Sequence, residues 1–98
     1  MPSPPNHSIT LHLPDDPSLG HFVYFIYADS ELLYVGYSKN VLSRLSGYHK
    51  PEQKSWWPRI TAILAVGYES RIEALRAESE MIIQLQPTHN IAFGAVRL

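Results

Sequence analysis

Two tyrosines, an arginine, a glutamate and an asparagine, in that order, are the residues whose types and spacing could do chemistry together. Tyr24 closes the tripeptide Phe22-Val23-Tyr24, and ten residues later Tyr34 opens Tyr34-Val35-Gly36. Arg44 comes next in a helix-like stretch, Glu78 lies far downstream, and Asn90 comes twelve residues after it. A glutamate can hold a divalent metal. An arginine can neutralise a phosphate, and a tyrosine can manage a proton. Together they suggest phosphodiester cleavage. Singly, each has an ordinary explanation: strand tyrosines mostly pack in sheets, and a helical arginine or glutamate mostly faces water. The weight rests on the joint pattern.

Those side chains need elements to position them. Phe22 to Tyr27 is an unbroken apolar and aromatic run and predicts a strand. Asp29-Ser30-Glu31 breaks it, and Leu32 to Gly36 predicts a second strand, so the two form an antiparallel hairpin. Tyr24 and Tyr34 then approach each other across it. Ser38 or Asn40 can cap a helix near 40–47 that ends at Gly47. Residues 50–58 read as a polar loop. Arg59 to Tyr68 predicts a third strand, with Ile60, Ala62, Leu64 and Val66 on one face. Ser70-Arg71-Ile72-Glu73 has capping-box spacing and starts a long helix that Pro87 stops after about Leu85. Ile72, Leu75, Ser79, Ile82, Ile83 and Leu85 are its expected core stripe. The order β-β-α-β-α predicts a small α/β fold, a three-stranded antiparallel sheet flanked by helices.

Residues 1–20 hold five of the eight prolines and read as an N-terminal arm, with residues 21–98 as the folded domain. Within the arm, Ile9, Leu11 and Leu13 alternate with polar residues, so 8–13 could form a short extended piece that pairs with a sheet edge or stays mobile. The 98 residues fit one domain with a modest core, 45% of them apolar. There is no cysteine, hence no disulfide and no thiolate zinc site. No apolar run reaches the roughly 20 residues of a membrane span. The proline-rich start lacks the pattern of a secretory signal, and the expected location is intracellular. Net charge is −1, against the habit of proteins that bind nucleic acid through Lys and Arg. Locally the balance differs. Lys39, Arg44, Lys50, Lys54 and Arg59 share a 21-residue segment with a single acid, Glu52. Trp56 and Trp57 lie in it and could stack on bases or close the core.

The order and spacing resemble the GIY-YIG nuclease superfamily over roughly Phe22 to Ala92. The resemblance implies that Tyr24 and Tyr34 sit close around the scissile phosphate. Its helix arginine falls eight residues after the glycine of the second motif, here Gly36, which gives Arg44. A tyrosine or histidine four residues on belongs to the site, here Tyr48, with His49 the neighbouring alternative. Its metal-binding glutamate precedes a proline by nine residues, as Glu78 precedes Pro87, and its terminal asparagine is Asn90. Gly36, Lys39, His49, Lys50, Trp56 and Asn90 are the expected substrate contacts. Three positions depart from the pattern. Phe22 replaces the glycine of the first motif, Tyr37 replaces a frequent lysine or arginine, and His89 replaces a tyrosine.

The resemblance implies a metal-dependent DNA endonuclease. Glu78 would hold Mg²⁺ or Mn²⁺, and Arg44 would contact the nonbridging oxygens. Tyr24, with Tyr34 beside it, would orient or deprotonate water. The alternative is a domain of the same fold that binds nucleic acid or protein without cutting. DNA is the expected partner. So small a chain is expected to take its specificity from a homodimer, a partner protein or DNA shape, or to have little of it.

Overall fold

The computed structural model describes residues 10–46 and 57–90. Four strands and two α-helices run in the order β1 (Thr10–His12), β2 (His21–Ala28), β3 (Glu31–Ser38), α1 (Val41–Ser46), β4 (Ala62–Tyr68) and α2 (Arg71–Leu85). Short 3-10 turns occupy Trp57–Arg59 and Thr88–Asn90. The strands form one mixed sheet in the order β1-β4-β2-β3.

The predicted hairpin is present, and its register decides which side chains meet. Tyr24 pairs with Gly36, and Ile26 with Tyr34. The turn is Asp29-Ser30, with Asp29 at φ 55°, a left-handed conformation that Asp tolerates better than most residues. The Asp29 amide donates to Thr61 Oγ1 at 2.7 Å, which fixes the turn to the segment entering β4. A register shift between Ile26 and Tyr27 brings Leu33 onto the same side as Ile26.

The expected purely antiparallel three-stranded sheet is corrected to four strands and mixed pairing. Thr10–His12 runs parallel to Ala62–Leu64, and the Thr10 amide donates to the Thr61 carbonyl at 2.9 Å. β4 begins at Ala62, not at Arg59, because Trp57–Arg59 curls into a 3-10 turn. Of the face predicted for this strand, Leu64 and Val66 stay 38% and 40% exposed, whereas Ile63 and Ala65 on the opposite face are buried.

Each face of the sheet carries its own core. On one, Tyr24, Ile26, Leu33, Ile63 and Ala65 pack with Val41 of α1 and Ile60. On the other, Val23, Phe25 and Val35 pack against Ala74 and Ile82 of α2. Helix α2 begins and ends as predicted. Ser70 Oγ accepts from the Glu73 amide at 3.1 Å and donates to Glu73 Oε1 at 3.0 Å. Gln86 closes the helix in a left-handed conformation, its amide on the Ile82 carbonyl, before Pro87. The predicted core stripe is kept at Ile82, which is buried as expected, and is otherwise rotated. Ile72 and Ile83 are 69% and 66% exposed and Leu85 is exposed too, while Ala74 and Ile82, with Ala77 and Met81 beside them, face the sheet. Small alanines let the helix approach the sheet closely. Rotating Ile72 inward would wedge the two apart.

Candidate active site

The two motif tyrosines meet as the hairpin register requires. Because Tyr24 faces Gly36, Tyr34 is its diagonal neighbour on the same face. Their ring centroids are 6.1 Å apart, tilted by 37°. Glycine at 36 makes this possible: a Cβ there would lie 2.5 Å from Tyr24 Oη and 2.8 Å from Tyr34 Cε2. The space that a side chain would fill is taken by the Tyr24 hydroxyl end. The rings differ in exposure. Tyr24 is fully buried, and Tyr34 is only partly so.

Immediately beyond Gly36 the surface opens into a cleft of about 600 Å³ lined by Tyr37, Ser38, Lys39, Asn40, Ser43, Arg44 and Arg71. Helix α1 places Arg44 there. Asn40 Oδ1 accepts from the Ser43 amide at 3.1 Å, so of the two candidate caps Asn40 is the one used. Ser38 Oγ instead ties the link, accepting from the Asn40 amide at 3.0 Å and donating to the Asn40 carbonyl at 2.9 Å. Val41 is buried against Tyr24's core, which sets α1 in place and leaves Arg44 exposed in the cleft. Tyr37 is held by His21, whose Nδ1 lies 2.8 Å from the phenol oxygen with the rings stacked at 6.1 Å.

Lys39 and Arg44 are therefore brought together. Arg71, which is not among the residues singled out from the sequence, joins them from α2. No signal along the sequence marks it, since the convergence depends on how α2 lies across the sheet. Neither motif tyrosine lines this cleft among the described residues.

Glu78 lies four residues after Ala74 and four before Ile82, so it is on the sheet-facing row of α2 and is partly buried. Among the described residues there is no cluster of three or more His, Asp or Glu side chains suited to a metal. Asn90 is buried and bound to backbone: its Oδ1 accepts from the Val35 amide at 2.8 Å and its Nδ2 donates to the Val35 carbonyl at 3.2 Å. It caps the outer edge of β3 as a further strand would. Tyr48, His49, Lys50 and Trp56 lie outside the described residues.

Glu31, at the start of β3, has a well-defined electrostatic setting. A hydrogen bond from Thr88 Oγ1 at 2.7 Å holds its carboxyl below the usual glutamate value, and Arg59, also at 2.7 Å, adds to this.

Among the described residues no helix is long and apolar enough to cross a membrane. No solved structure gives a significant match to the chain. Curated relatives do. The UvrABC system protein C of Aromatoleum aromaticum is 35% identical over 88 residues, which cover 83% of this chain and 14% of that protein. The protein of the same name from Nitrobacter hamburgensis is 34% identical over 87 residues, 82% of this chain and 12% of that protein. That of Wolbachia pipientis from Culex pipiens is 40% identical over 75 residues, 70% of this chain and 12% of that protein. The matches thus take in only 12–14% of the length of these relatives. The family model for the UvrC-like GIY-YIG domain matches residues 20–91, most of the chain and all of the hairpin, α1 and α2, so this protein belongs to the UvrC-like GIY-YIG domain family.

Proposed function

We propose that this domain is a metal-dependent DNA endonuclease that hydrolyses phosphodiester bonds. The observation that supports this best is the packing of Tyr24 and Tyr34 about Gly36, which keeps the two motif tyrosines together although Phe22 departs from the motif's pattern. Glu78 would hold Mg²⁺ or Mn²⁺. A half-buried carboxylate outside any acidic cluster among the described residues fits an ion that keeps most of its water. Such an ion supplies charge stabilisation for the leaving 3′ oxygen and the phosphorus.

The chain's own groups do the rest. Arg44 faces the nonbridging oxygens, which gain charge in the transition state. The water is oriented or deprotonated by a tyrosine, and burial divides that work. Tyr34 is the ring that solvent reaches, and the enclosed Tyr24 fixes its position. A free phenol, with a pKa near 10, is a weak base at pH 7, so proton removal from the water calls for a nearby cation, which Arg44 or the metal would supply.

One observation favours a second reading, a domain that binds DNA without cutting it. Tyr24 is wholly enclosed, and the Asn90 amide is spent on Val35, so two expected site residues serve the fold.

Nicking of supercoiled plasmid in Mg²⁺ separates the two. Glu78→Gln keeps size and helix propensity and removes the charge, and it should cut slower by orders of magnitude while still folding. Glu80→Gln, on an exposed face of the same helix, should cut like the parent. A parent that binds but never nicks supports the second reading.

A further inference from the structure

We propose that Arg71, which has no part in the proposed cleavage step, contacts a backbone phosphate flanking the scissile one, and that it acts with Lys39 and Arg44 as a clamp on the DNA strand. The identity of the ligand rests on the nuclease reading. The existence of an anion site rests on the cleft itself.

Three cations reach this cleft from three separate parts of the fold: Lys39 from the link after β3, Arg44 from α1, and Arg71 from α2. They are three of the eight Lys and Arg residues of a chain whose net charge is −1, and no carboxylate lines the space with them among the described residues. Arg59 shows the contrasting arrangement, its guanidinium held by Glu31 at 2.7 Å. The acid nearest Arg71 along its own helix turn, Glu73, is turned to the helix cap by its bond to Ser70 Oγ. Like charges gathered without a counter-charge repel one another. An anion in the cleft removes that repulsion, and a field of one sign in a concave surface draws anions in. At about 600 Å³ the cleft is larger than a single phosphate needs and suits a sugar–phosphate segment.

The position of Arg71 makes its phosphate a flanking one. Arg71 and Glu78 are seven residues apart on α2, hence nearly on one row of the helix. At 1.5 Å rise per residue, their Cα atoms are about 10 Å apart along the axis. An ion at Glu78 and a phosphate at Arg71 would therefore lie at successive places along one strand. Tyr37, which lines the same cleft and is fixed by His21, adds shape without charge.

Binding measured without divalent metal tests this, because cleavage then plays no part. The probe is a fluorescein-labelled DNA duplex in EDTA, monitored by anisotropy over a range of salt. Arg71→Gln should weaken binding roughly five- to tenfold at low salt and reduce the salt slope by about 1, the loss of one phosphate contact. Arg71→Lys should restore the slope. Arg76→Gln, exposed on another side of α2, should bind like the parent. Unchanged affinity and slope in Arg71→Gln overturn the clamp, as do equal losses in Arg71→Gln and Arg76→Gln. A parent that binds no duplex at low salt overturns it too. A parent that binds, loses affinity in Arg71→Gln and still never cuts leaves the clamp standing and removes the nuclease reading.

Discussion

The tyrosine cluster and the cationic cleft are adjacent on β3, since Gly36 belongs to one and Tyr37 to the other, yet they are built on opposite principles. The cluster is steric. Two rings close on a glycine with no room for one added carbon. The cleft is electrostatic and open, lined by three cations and no acid among the described residues. Volume should therefore matter in the first and charge in the second. Added volume in the first should answer to stability assays, and lost charge in the second to binding and rate.

Gly36→Ala strikes the cluster hardest. Its Cβ would overlap both rings, and β2 pairing prevents the strand from retreating. Overpacking of this kind costs about 1–3 kcal/mol, and the upper end is expected here. Urea melts should show it. A variant as stable as the parent would mean that the rings are loosely held and the contrast is false. Arg44→Lys comes next. It keeps the charge and loses the planar fork, so cleavage should fall about a hundredfold, near 2.7 kcal/mol of transition-state stabilisation, with a modest change in binding and none in melting. Equal losses of rate and affinity would reduce Arg44 to a docking contact.

The tyrosines sharpen the boundary between the two regions. Tyr24→Phe removes a buried hydroxyl and should lower stability by about 1 kcal/mol. Tyr34→Phe should cost no more stability than Tyr24→Phe while slowing cleavage about tenfold, the lower range for a group that moves a proton. The reverse outcome, a slow but fully stable Tyr24→Phe, would return the proton-handling role to Tyr24. The smallest effect concerns Glu31, a surface group outside both regions. Its folded pKa is lowered, so its contribution is present above the usual glutamate value and lost as pH falls through the lower folded value. Glu31→Gln should thus narrow the difference in melting temperature between neutral and strongly acidic pH. The groups are exposed and screened, so the change should be slight.

The same contrast governs what is legible in the sequence. The hairpin is legible because the apolar runs, the polar break and the glycine are all local. So are the ends of α2, where Ser70, Glu73 and Pro87 act within a turn of themselves. The inward face of α2 is legible only at Ile82, since Ile72 and Ile83 outweigh Ala74 on any hydrophobic count and only the packing against the sheet favours alanine. Strand β1 is half legible. Alternation marks an extended piece, but its parallel partner, β4, lies far along the chain. Arg71 is invisible for the same reason: a cleft made by three elements has no signature in any one of them. Asn90 is found by its spacing, and its spacing says nothing of Val35.

The bond between Asn90 and Val35 has a consequence in time. The two are 55 residues apart, and the amide of one completes the strand that carries the other. A contact so distant along the chain forms later than a local hairpin, because its loop-closure entropy must be met first. On a ribosome the hairpin can fold early, but its outer edge stays open until residue 90 has emerged. An open strand edge recruits other strands. During that interval the nascent domain is at its most exposed to mispairing, and the same late step that seals the edge completes the framework around Tyr34 and Gly36.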